Sequence, residues 1–134
     1  MSATLTQVRQ AIKAALGTVR NLTAYAIEPG VPHLPAAWTL PIRINYHDGF
    51  DGDLTYTIGV TVGVELGDLG QAQTALDDYL APSGAKSIVA ALESDPSLGG
   101  VVDSTRVIAM TSYATREMGG KSVLTAGFEI EIFA

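Results

Sequence analysis

The feature that most limits what this chain can fold into is one long alternation, LTYTIGVTVGVE over residues 54–65. Leu54, Tyr56, Ile58, Val60, Val62 and Val64 take one parity, and Thr55, Thr57, Gly59, Thr61, Gly63 and Glu65 take the other. Side chains of an extended strand point alternately to opposite faces, so a period of two marks a strand with one face in a core. The second parity is small rather than charged, and its two glycines weaken a strand unless something needs the space. The expectation is close approach on that face, by a packed helix or by a neighbouring subunit.

The rest of the chain supplies partners for this strand. In KSVLTAGFEIEIFA, residues 121–134, Leu124, Ala126, Phe128, Ile130 and Ile132 share a second apolar face. Gly119-Gly120 places a hairpin turn between that segment and STRVIAMTSYATRE. A third strand starts at PIRINY and reaches residues 54–65 through the acidic turn DGFDGD; a short one is expected over residues 22–27. Prolines 32, 35 and 41 keep the intervening VPHLPAAWTL out of regular structure, leaving an ordered loop pinned by Trp38.

Three helices complete the pattern. Leu5, Val8, Ile12, Leu16 and Val19 recur at helical spacing, with Ser2 or Thr4 as N-cap and Gly17 near the end. A second helix is expected over residues 68–80, capped by Asp68, with Leu69, Ala72, Leu76, Tyr79 and Leu80 on its apolar face. KSIVAALES is a shorter third, capped by Ser87 and ended by Pro96 and Gly99-Gly100. The order α, β, β, β, α, α, β, β defines an α+β domain spanning residues 1–134. It is a mostly antiparallel sheet of four to five strands, flanked by an N-terminal helix and a central helix pair.

Charge and composition narrow the function. The net charge is −6, and residues 44–103 carry ten acids against Lys86 alone. Nucleic-acid binding needs clustered Lys and Arg, and no basic stripe exists here. Charged residues make up only 16% of the chain against the usual ~25%, which points to surface covered by other subunits. The absence of cysteine excludes disulfides, thiolate metal sites and cysteine nucleophiles. No apolar run reaches membrane-spanning length, and MSATLTQVRQ lacks the features of a signal peptide, so a soluble chain of cytoplasmic origin is expected.

The candidate chemistry is thin. Ser83-Gly84-Ala85-Lys86 fits S-x-x-K, but the S-D-N and K-T-G elements that accompany it are missing. Ser83 reads instead as part of an interhelical turn. A phosphate loop needs glycine directly before the lysine, where Ala85 stands. Asp48, Asp51 and Asp53 crowd one turn, yet their spacing misses the calcium-loop pattern, and Asp and Gly are ordinary turn residues. His33 and His47 share no ligand spacing, and neither Asp77-Asp78 nor Glu129/Glu131 forms an acid/base pair with a reachable partner. No catalytic, metal or cofactor-binding residue is assigned.

The segment LDDYLAPSGAKSIVAALESDPSLGGVVDSTRV, residues 76–107, resembles tail terminator proteins of long-tailed, non-contractile phages (siphoviruses), those of actinobacterial phages above all. ATLTQVRQAIKAAL and the proline-rich loop before PIRINY are similar too. The resemblance implies a virion protein of the tail neck, assembled in the host cytoplasm. It implies a hexameric ring that caps the finished tail tube, stops its polymerisation and joins the tail to the head-side connector. Its partners would be further copies, the major tail tube protein and the connector, with DNA passing through unbound and no membrane involved. Exposure and charge balance nominate Trp38, Asp48, Phe50, Asp51 and Asp53 for tube or connector contacts, and Arg106 and Arg116 for contacts between subunits. The alternatives are another neck component (a head-completion protein or tube subunit) and a small serine hydrolase using Ser83 and Lys86.

Overall fold

A computed structural model describes residues 3–48 and 53–134. The elements run α1 (Leu5–Leu16), β1 (Thr23–Ala24), β2 (Ala36–Asp48), β3 (Asp53–Glu65), α2 (Leu69–Leu80), α3 (Ile88–Glu93), β4 (Ser104–Met118) and β5 (Lys121–Phe133). The strands form one sheet in the order β1-β2-β3-β5-β4, antiparallel throughout except for the β1–β2 pair. This is the α+β architecture that the alternating segments predict.

The helices form a single layer. Val8, Ile12 and Leu16 of α1, Leu76 and Tyr79 of α2, and Ile88 and Leu92 of α3 are buried in one cluster with Tyr56 to Val64 of β3 and Leu124 to Ile132 of β5. The apolar parities of both strands therefore face the helices. Register explains why they align: Ile58 lies opposite Ile130 and Val60 opposite Phe128, so the two faces merge. Ile44 of β2, opposite Tyr56, packs against this layer, and the Tyr56 hydroxyl ties the segment before α1 to it by donating to the Ala3 carbonyl at 2.8 Å.

Each helix starts on the cap that its residue types call for. The Thr4 hydroxyl accepts from the Gln7 amide at 3.2 Å while the Gln7 side chain accepts from the Thr4 amide at 2.8 Å, a reciprocal capping box. The Asp68 carboxylate accepts from the Gln71 amide, and the Ser87 hydroxyl accepts from the Ala90 amide. The hairpin turn between β4 and β5 takes φ of 57° at Gly119 and 81° at Gly120, left-handed values that suit glycine at both positions.

Three local expectations are corrected. The strand expected over residues 22–27 shrinks to Thr23–Ala24; past it the Tyr25 amide still donates to the Ala37 carbonyl at 2.8 Å, and the Tyr25 side chain packs against the Trp38 cluster. β2 begins at Ala36, inside the proline-rich segment, and includes Pro41. The register shifts there, between Pro41 and Arg43, and a bulge on an outer strand is where a missing N–H does least harm. Leu69 is 53% exposed rather than facing the core.

Candidate functional site

The far side of the sheet carries no helix among the described residues. On that side lie Thr57, Gly59, Thr61 and Gly63 of β3, and Val123, Thr125, Gly127, Glu129 and Glu131 of β5. One end of it is strapped by the segment that joins β1 to β2. Tyr25 and Leu34 pack against a small cluster of Ala36, Trp38, Met118 and Val123. Glu28 pairs with Arg116 at 2.6 Å, and Val31 lies over Gly119. The Tyr25 hydroxyl accepts from the His33 amide at 3.0 Å. The proline-rich loop is thus pinned by Trp38, as its composition suggests, and it crosses the sheet from β2 to the β4–β5 turn.

The small residues of β3 acquire a physical reason from this arrangement. A Cβ at Gly63 would stand 2.8 Å from Val123 Cγ1 and 3.4 Å from Trp38 Cη2, so the tryptophan lies on space that only glycine leaves. At Gly59 the neighbour is Ile42 Cδ1, at 3.4 Å. Close approach on this face is made at one end by the chain itself.

Beyond the strap no helix covers the face among the described residues, and Thr57, Gly59, Thr61, Glu129 and Glu131 are half-buried there. Leu40, opposite Gly59, and Ile42 are 57% and 58% exposed. Register sets Arg43, Thr57, Glu131 and Arg106 in one row across four strands. The long edge strand β4 is more open still. Every residue from 108 to 117 is exposed, because α3 reaches only the beginning of β4, where Glu93 accepts from the Val107 amide at 3.3 Å. Met110 and Tyr113 pair with Phe128 and Ala126, placing them on the helix side, yet they are 48% and 40% exposed.

The nominated contact residues fall into different settings. Trp38 is 1% exposed, a strand residue buried under the strap rather than a displayed loop residue, so it supports the surface instead of forming it. Asp48 and Asp53 face each other at the ends of β2 and β3, while Phe50 and Asp51 lie outside the described residues. Arg116 is engaged within its own chain by Glu28. Arg106 is exposed, and its guanidinium has no ion-pair partner among the described residues. The exposed apolar residues Leu40, Ile42, Met110 and Tyr113 were missed in the sequence. A strand alternation there looks like any half-buried strand, and only the position of the helices shows which faces stay uncovered.

Ser83 and Lys86 line one shallow depression with Arg20 and Asp78. The lysine ammonium stands 3.9 Å from the Asp78 carboxylate and its side chain is 37% exposed, unlike the desolvated amine that serine activation requires. Ser83 makes no side-chain hydrogen bond among the described residues, whereas Ser87 caps α3 and donates to the Ala81 carbonyl at 2.5 Å. A cleft of about 440 Å³ beside α2 is lined by Glu65, Asp68, Gln71, Asp78 and Lys86 among others. No group of three His, Asp or Glu side chains gathers at metal-binding distance among the described residues.

No protein-family model matches the chain, and no curated protein matches it. Among solved structures, a chain of the virion of a native gene transfer agent particle aligns with 98% of this chain and 96% of its own length. The identity is 10% and the TM-score 0.36, too low for that similarity to establish a shared fold or role.

Proposed function

We propose that this protein is a structural virion subunit, and specifically a tail terminator: a ring that caps the finished tail tube, stops its growth and presents its other face to the head connector. The observation that carries the proposal is a sheet with a ten-residue exposed stretch of edge strand, and with one face of small, half-buried residues on which no helix packs among the described residues. Such surface suits burial against other subunits, and the low charged fraction fits the same use. The resemblance in residues 76–107 supplies the choice of neck protein. That stretch holds the end of α2, all of α3 and the entry into β4.

In this role no bond is made or broken. Termination follows from asymmetry, in which one face of the ring complements the tube end and the other lacks the surface that a further tube ring needs. Six copies would carry a charge of −36 around the bore. Duplex DNA presents a negative charge every ~1.7 Å, so an acidic annulus repels the passing duplex instead of holding it. The paired ends of β2 and β3, at Asp48 and Asp53, are the proposed place of tube or connector contact.

A phage lacking the protein tests this. The expected particles have tubes grown past their normal length and separate, tailless heads. Normal-length tails joined to heads would reject the proposal. Headless tails of normal length would reassign the protein to a neighbouring neck component. A serine-reactive probe that labels the protein but not its Ser83→Ala variant would instead favour the hydrolase alternative.

A further inference from the structure

We infer that copies of this chain join edge to edge, the outer edge of β4 in one copy pairing antiparallel with the outer edge of β2 in the next. The inference deepens the ring proposed above and rests on it, since it specifies the contact by which such a ring closes. The first observation is the state of the β4 edge. Residues 108–115 read IAMTSYAT, eight exposed positions without a charge or a proline. Natural edge strands are blunted by charge, proline, bulges or cover, because bare N–H and C=O groups recruit another strand. β4 does carry two register irregularities, at residues 107–109 and 110–112, but it continues past both in an unbroken ladder with β5 to Met118.

The second observation is what the other side of the sheet offers. β1 covers β2 only at Ala36 and Ala37, and the Thr39 hydroxyl extends that cover by donating to the Ala26 carbonyl at 2.6 Å. From residue 40 to residue 48 the outer edge of β2 has no strand partner among the described residues, a length that matches the bare part of β4. Leu40, Ile42 and Tyr46 are all more than half exposed along it. Pro41, Arg43 and the register shifts at residues 41–43 and 45–48 interrupt this edge, so apolar side chains and unpaired backbone coincide on it in shorter stretches than on β4.

Strand direction selects the occupant. β2, β3, β5 and β4 form an antiparallel set of four, so the two outer strands run in opposite directions. A copy generated by rotation about an axis roughly along the strands keeps its orientation, and its β2 then meets β4 antiparallel. The sheet continues across the junction, and the same step repeats until the ring closes and no long edge remains. Pairing β4 with β4 across a two-fold axis would instead stop at a dimer and leave both β2 edges bare.

Cross-linking tests the inference cleanly because the natural chain has no cysteine. Ser112→Cys, in the middle of β4, is combined in turn with Leu40→Cys, Ile42→Cys and Asn45→Cys, and each concentrated protein is treated with a short bis-maleimide. At least one pair should give a ladder from dimer to a limiting oligomer, while Ser112→Cys alone stays monomeric. Dimers from Ser112→Cys alone would replace the inference with β4–β4 pairing, and monomers in all three pairs would overturn it. Hydrogen exchange on the unmodified protein gives a second readout. Among residues 108–117, the amides that point away from β5 should be protected progressively as concentration rises, and concentration-independent exchange there would also overturn it. If edge pairing fails while the deletion phenotype holds, the ring uses another contact; if the phenotype fails while pairing holds, the assembly serves something other than a tail.

Discussion

At the scale of single residues, two glycines of β3 that look alike in the sequence do different work. A Cβ at Gly63 meets Val123 Cγ1 at 2.8 Å, and Val123 is fully buried under Trp38, so neither neighbour has room to retreat. Gly63→Ala should cost about 1–3 kcal/mol by overpacking, read as a lower melting temperature with altered tryptophan fluorescence. At Gly59 the neighbours are the end of the exposed Ile42 side chain and the Leu40 carbonyl, both at 3.4 Å, which is ordinary van der Waals contact. Glycine inside a strand is itself unfavourable by roughly 0.5–1 kcal/mol relative to alanine, so Gly59→Ala should leave stability unchanged or raise it. Equal destabilisation by the two substitutions would show that the Trp38 cluster does not govern this face. The sequence shows that the parity is small, but which glycine is obligatory depends on Trp38, a residue of the neighbouring strand β2 whose ring reaches Gly63.

At the scale of elements, the two serines flanking Lys86 separate structure from suspected chemistry. Ser87 is 1% exposed, caps α3 and also donates to Ala81, so Ser87→Ala removes a cap and leaves a carbonyl unpaired. A loss of about 1–2 kcal/mol is expected in denaturant titration. Ser83 is exposed, and Ser83→Ala should stay within about 0.5 kcal/mol of the parent. A marked loss at Ser83 with none at Ser87 would contradict the assignment of the cap. Elements like α3 were legible because a cap and an apolar stripe are local signals. The alternation of β3 and β5 was legible for the same reason, as was the Gly119-Gly120 turn. β1 and the start of β2 were not, because their extent is decided by a parallel pairing between Thr23 and Ala36, two segments separated by a proline-rich loop whose path depends on the Trp38 cluster. The bare surface was only half legible: small residues on one parity are visible in the sequence, whereas the exposure of Met110 and Tyr113 follows from α3 ending short of them.

At the scale of the whole molecule, the forces that would assemble copies oppose each other, and ionic strength distinguishes them. Every copy carries −6, so copies repel at long range. The contacts inferred between β4 and β2 are backbone hydrogen bonds and apolar side chains, which salt screens little. The Debye length falls from about 10 Å at 0.1 M to about 3 Å at 1 M salt, which removes the repulsion and leaves the contact. Association measured by sedimentation should therefore strengthen as salt rises. Arg106 offers the opposite behaviour: it is exposed and unpaired among the described residues, and if it meets an acid of the neighbour, salt weakens that contact. Arg106→Gln decides how the two combine. Association that rises with salt equally in the parent and in Arg106→Gln assigns cohesion to the strand edges. Association that falls with salt in the parent, and loses that dependence in Arg106→Gln, assigns it to the arginine and removes the edge ladder from the centre of the assembly.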